Sequence, residues 1–154
     1  MISLLAVLVF IYSLIRKEYR YTIAAGFSMT YFVSYALQSN DNLIEYSQVL
    51  GMMQKAILVG LALYMIFASI KSPVKKTDIL GAVLACIACI FRLVRTFVFD
   101  SYTASMQASG TDILTIYQEF SAYYVLIDSV TKLAILIMLF LFAWHLGKPK
   151  SANN

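Results

Sequence analysis

The sequence predicts an all-α, polytopic integral membrane protein: a five-helix transmembrane bundle with the N-terminus outside and the C-terminus cytoplasmic. Three observations carry this. The 154 residues are 61% hydrophobic and only 13% charged, where a soluble domain approaches about 25% charged. The apolar residues form continuous blocks of helix-spanning length, not the alternating segments of a transmembrane barrel. Lys and Arg collect at alternate block ends, as membrane topology requires.

The first block, residues 2–16, is short for a span. Arg16 and Lys17 extend it by snorkelling, and Tyr12 and Tyr19 suit an interface. No basic region precedes it and no small-residue cleavage site follows, so it reads as a retained span rather than a signal peptide. The second, 21–37, is rich in small polar residues. Gly26, Thr30 and Ser34 recur at helical spacing, a surface on which helices approach closely. The third, 49–70, carries a similar pair, Ala56 and Gly60. Pro73 and three lysines stop it, and Thr77 or Asp78 is placed to cap the fourth, 79–99. There Gly81, Ala85 and Ala88 share a face with Arg92, Arg95 and Phe99. The connection Asp100–Phe120 is the longest. Its second half repeats Ile113, Ile116, Tyr117 and Phe120 at helical spacing, which predicts an interfacial helix or an early start to the fifth span, 122–146. Residues 1–147 thus form one transmembrane domain, and 148–154 a polar cytoplasmic tail.

Orientation follows from charge. Arg16, Lys17 and Arg20, then Lys71, Lys75 and Lys76, then Lys148 and Lys150 occupy alternate connections. The connections between them hold only acids: Asp41, Glu45, Asp100, Asp112 and Glu119. Five spans satisfy this alternation throughout and place the chain in the plasma membrane as a multi-pass protein. The net charge of +4 is spent on topology and forms no soluble basic patch, so nucleic acid is not an expected partner.

Five charges stay inside the spans: Lys55, Arg92, Arg95, Asp128 and Lys132. Each costs about 2.5–3.5 kcal/mol at a helix centre, so they should face the bundle. The assigned orientation puts them at similar depth, in the outer half. Asp128 and Lys132 have the spacing of a local ion pair, and Asp128 is equally placed to meet Arg92 or Arg95. Glu45, Asp100 and Glu119 lie near enough to neutralise the excess. One reading is a self-paired polar core that fixes helix register. The other is an outward-facing basic vestibule for an anion or lipid headgroup, tight below at Gly81, Ala85 and Ala88.

Other signals are weaker. Cys86 and Cys89 form a CxxC, but near the bilayer midplane and with no third cysteine for exchange, small packing residues are the better reading. His145 stands alone beside Trp144 and makes a poor metal site. No phosphate loop, nucleophile motif or internal repeat is visible, so no catalytic residue, cofactor or metal is expected. The expected function is a non-catalytic accessory subunit of a larger membrane protein complex, or an oligomer with itself, packed through the small-residue faces. The alternative is a channel, transporter or ligand-sensing module using the basic vestibule.

Overall fold

The computed structural model describes residues 2–38, 40, 46–110 and 112–148. Among them the regular structure is helical throughout: α1 (Ile2–Ile15), α2 (Tyr19–Gln38), α3 (Ser47–Lys71), α4 (Lys75–Val94), a π-helical segment (Arg95–Asp100), α5 (Ser101–Ala108) and α6 (Ile113–Gly147). Three stretches are long and apolar enough to cross a membrane: Ser47–Lys71, Lys75–Ala108 and Phe120–Gly147. The apolar part of α1, Ser3–Ile15, is shorter. Hydroxyl-bearing side chains dilute α2, which is not among the three.

Several boundaries differ from the sequence reading. The fourth helix starts at Lys75 with Val74 at its N-cap, and no side chain caps it. Neither Thr77 nor Asp78 serves as the cap, because Asp78 lies within the first turn and its carboxylate is held by residues from elsewhere. The predicted long connection after Asp100 is mostly helix. The π segment and α5 prolong α4 to Ala108, and Gly110, at φ +86°, turns the chain toward α6. The last helix starts at Ile113, before residue 122 and in line with the early start that the spacing of Ile113, Ile116, Tyr117 and Phe120 allowed.

The turn between α1 and α2 shows how locally the chain is specified. Glu18 N–H donates to Ser13 C=O (2.9 Å) and Lys17 N–H to Leu14 C=O (3.1 Å). This is the paired bonding that closes a helix over a left-handed residue. That residue is Lys17, at φ 59°, where glycine is the usual occupant. A basic residue is retained at the helix terminus, where it also meets the carbonyl end of the dipole.

The five long helices pack as a ring in chain order. Successive helices α1, α2, α3, α4 and α6 touch their neighbours, and α1 closes against α6. An odd number of alternating helices forces one parallel pair, which here is α1 with α6. Helix α4 has its fullest contacts with α3 and α6. The core along its small face includes Leu58, Leu61 and Met65 of α3 and Ile135, Met138 and Phe142 of α6. Outward faces are apolar as well, with Leu63, Phe67, Ile90 and Phe140 all exposed.

One end of this ring is tied by a buried carboxylate. Asp78, 0% exposed, accepts a bond from Arg20 Nη1 (3.3 Å) and one from Ser72 Oγ. Arg20 also meets Glu18 (3.3 Å) and lies over the Tyr21 ring, which packs against Phe142 and His145. These contacts bring the α1–α2 turn, the α3–α4 turn and the C-terminal end of α6 together, so their basic residues share one end of the molecule.

The tightest approach lies at Gly81. A Cβ there would come 2.8 Å from Met65 Cε and 2.9 Å from the Phe142 ring. Methionine yields easily, but the Phe142 ring is fully buried and backed by Tyr21 (centroids 4.6 Å apart). Gly81→Ala is therefore expected to destabilise the folded protein by about 1–3 kcal/mol through overpacking, despite alanine's better helix propensity. Thermal or denaturant unfolding in detergent measures it, and an unchanged or raised midpoint would contradict the packing described.

Candidate functional site

The opposite end of the bundle gathers the charges that interrupt the apolar runs. Helix α4 presents Arg92 and Arg95 on its inner side as it passes into the π segment. Helix α6 supplies Asp128 and Lys132, and α3 supplies Gln54 and Lys55. Arg92 is only 4% exposed. Its Nη1 donates to Asp128 Oδ1 (3.0 Å) and its Nη2 to Gln54 Oε1 (2.5 Å). Arg95 Nη1 donates to the same Asp128 oxygen, also at 3.0 Å. Lys132 Nζ takes the other oxygen at 3.5 Å along its own helix. One carboxylate therefore serves three cations, where the sequence left open which arginine it would meet.

The network continues through amides. Gln54, fully buried, donates from Nε2 to Gln38 Oε1 (2.9 Å), and Gln38 Nε2 reaches the Ser47 carbonyl (3.1 Å). Each amide is thus oriented by its neighbours, with the Gln54 oxygen held toward the guanidinium. Aromatic faces add to this. Arg95 lies 4.8 Å from the Tyr124 ring centroid and Lys132 3.8 Å from that of Tyr35, distances suited to cation–π attraction. Sequence reasoning missed Gln38 and Tyr35 and gave Gln54 no role, while helical spacing does place Tyr124 on one face with Asp128 and Lys132. A glutamine inside an apolar run was the available signal for Gln54; Gln38 and Tyr35 lie at helix positions that only packing could select.

Two cavities flank Arg95. The first, about 610 Å³, lies between α3 and α4 and is walled by Gln48, Gly51, Met52, Lys55, Arg92 and Arg95, among others. Spacings of three and four put the four α3 residues on one helix face. The second, about 380 Å³, lies toward α6 and includes Tyr35, Arg95, Tyr124, Asp128 and Lys132. Lys55 makes no ion pair among the described residues. Four cations against one acid (4 − 1) leave three positive charges in excess over the two cavities. Of the acids expected to balance them, Glu45 lies outside the described residues, as do the side chains of Asp100 and Glu119.

Below the cluster the helix is narrow. Gly81, Ala85 and Ala88 are all buried, and Arg92 follows on the same face. Of the other small residues expected at helix contacts, Ser34 is buried, Gly26 faces Phe10 and Gly60 faces Phe27. Thr30 and Ala56 are exposed. In the CxxC, Cys89 is buried in the core and Cys86 is half-buried against it, both as free thiols. His145 meets the Tyr21 ring edge-on while Trp144 is exposed. No group of His, Cys, Asp or Glu side chains that could hold a metal is gathered among the described residues.

Comparison of the chain with protein-family models, curated proteins and solved structures gave no match. The chemistry of the site must therefore be read from its own atoms. Removing the shared anion should expose its structural worth. Asp128→Asn leaves Arg92 desolvated and unpaired, and is expected to cost about 3 kcal/mol. That is the low end for a broken buried pair, since Arg95 and Lys132 remain part exposed. Unfolding in detergent reads it; a loss below about 0.5 kcal/mol, typical of exposed pairs, would show that the cluster does not hold the bundle.

Proposed function

We propose that this protein is a non-catalytic, multi-pass membrane module whose basic vestibule binds an anionic group. The observation that carries the reading is the charge count of the vestibule, four cations around one carboxylate beside two open cavities. Burying a charge in low dielectric is unfavourable unless something pairs it. A site whose described residues hold three more cations than carboxylates therefore gains free energy from an anion that enters. The π segment at Arg95 supports the same reading, since such departures from α geometry recur at functional sites. A small anion or the headgroup of an anionic lipid fits this chemistry, as a channel, transporter or sensor would require.

The proposed setting is the plasma membrane, with α1, α2, α3, α4 and α6 as five spans. At 1.5 Å per residue the 14 residues of α1 make a short span that Arg16 and Lys17 complete by snorkelling. Arg16, Lys17, Arg20, Lys71, Lys75, Lys76 and Lys148 lie at the end tied by Asp78. The positive-inside rule makes that end cytoplasmic, with the N-terminus and the vestibule outside.

Anion binding is testable on the purified protein. Arg95→Ala is expected to abolish anion-dependent stabilisation while the protein still inserts and unfolds cooperatively. Retention of binding would remove the vestibule from consideration. Arg92→Ala should also lose binding, with a larger loss of stability because Arg92 joins α3 to α6.

A second reading, an accessory subunit of a larger membrane assembly or a homo-oligomer, is favoured by Thr30 and Ala56. These small residues are exposed on the surface of this chain, as expected where another helix approaches closely. Gentle detergent extraction should then give a particle much larger than one 17.3 kDa chain with its micelle. A monodisperse monomer would count against it.

A further inference from the structure

The two cavities beside Arg95 are not equivalent, and their difference specifies what the vestibule takes. The α6-side cavity contains its own counter-ion: Asp128 lines it together with Lys132. Lys132 is already satisfied there by the carboxylate and by the Tyr35 ring. The α3–α4 cavity has no carboxylate in its described wall, and three cations converge on it, Lys55, Arg92 and Arg95. Arg92, though buried, has an Nε without a hydrogen-bond partner. Arg95 commits one of its five N–H donors to Asp128. The cavity wall thus holds unspent donors and no acceptor charge to match them.

We propose that the α3–α4 cavity is a receptor for a phosphate dianion, either free phosphate or a phosphomonoester headgroup; this rests on the anion-binding reading above. Charge selects the dianion. Of the three excess positive charges, a monoanion such as a carboxylate leaves two, and a phosphate dianion leaves one. Geometry selects phosphate as well. Arg95 keeps N–H groups suited to pairing with phosphate oxygens, Arg92 adds its charge from behind, and Lys55 adds a compact point charge from the facing helix. The polar amide of Gln48 lies on the same wall, with capacity for a further oxygen. Met52 borders the cavity and is 66% exposed on the apolar outer face. An acyl-bearing phosphomonoester can therefore enter from the side while its headgroup sits among the cations.

The test uses the full chain in detergent and in lipid nanodiscs. Calorimetry with inorganic phosphate at pH 8 is expected to show saturable binding, and acetate at the same ionic strength none. Binding should weaken at pH 5.5, below the second ionisation of a phosphate group at about 6. Lys55→Gln removes a cation with no ion-pair partner among the described residues and should weaken binding about tenfold, the loss of one charge-assisted contact. Lys132→Gln, in the other cavity and already paired with Asp128, should weaken binding less than Lys55→Gln does. Stabilisation in nanodiscs by phosphatidic acid but not by phosphatidylglycerol, a phosphodiester monoanion, would identify the lipid source. Phosphate binding in detergent without any such lipid effect would identify the free anion. If acetate binds as well as phosphate, or if Lys132→Gln costs more than Lys55→Gln, the dianion receptor is overturned and the general anion site survives. If no anion binds by either method, both fall.

Discussion

Asp128 is the group on which this bundle depends, because its carboxylate is the point where charges from separate helices meet. Arg92, Arg95 and Lys132 all bind it, and Arg92 passes the connection to α3 through Gln54. Gln54 in turn holds Gln38 of α2. Four helices are thereby joined through polar atoms at one depth. Buried polar atoms left without partners are costly, so the arrangement that pairs them is strongly preferred over any other. Register follows from that preference, since a shift of α4 by one residue would carry Arg92 off the carboxylate.

Packing below the cluster acts in concert with it. Gly81, Ala85 and Ala88 are buried on the face that continues into Arg92, so α4 lies close to α3 and α6 before its charged section begins. The Met65 and Phe142 side chains occupy the space that any residue larger than glycine would need. Small residues thus set how near the helices come, and the ionic network sets how they are rotated and aligned along their axes. Neither does the other's job, because dispersion contacts are weakly directional and hydrogen bonds are not.

The two ends differ in charge balance. At the Asp78 end, Arg20 is met by both Glu18 and Asp78, an arrangement that consumes its cation. At the Asp128 end, cations outnumber the carboxylate. Asp78 also illustrates a limit of local reasoning. Read in sequence it sits where a helix cap belongs, but Arg20, 58 residues away, claims it.

The helical class, the basic punctuation of the chain and the five charges set within apolar runs were legible from residue order alone, because hydropathy and charge position are properties of a linear string. The small-residue face of Gly81, Ala85 and Ala88 was also legible, since helical periodicity projects it without knowledge of the partner. What the tertiary structure decided was partnership: that Asp128 serves three cations, that Gln54 and Gln38 complete the first guanidinium's bonds, and that Lys55 faces a cavity without a carboxylate in its described wall. It also replaced the predicted connection after Asp100 with π helix and α5, where weak local signals yielded to continuation of α4. Thr30 and Ala56 were expected at helix contacts but face outward. Sequence spacing assigns residues to a face of their own helix, and only packing determines which face meets a neighbour.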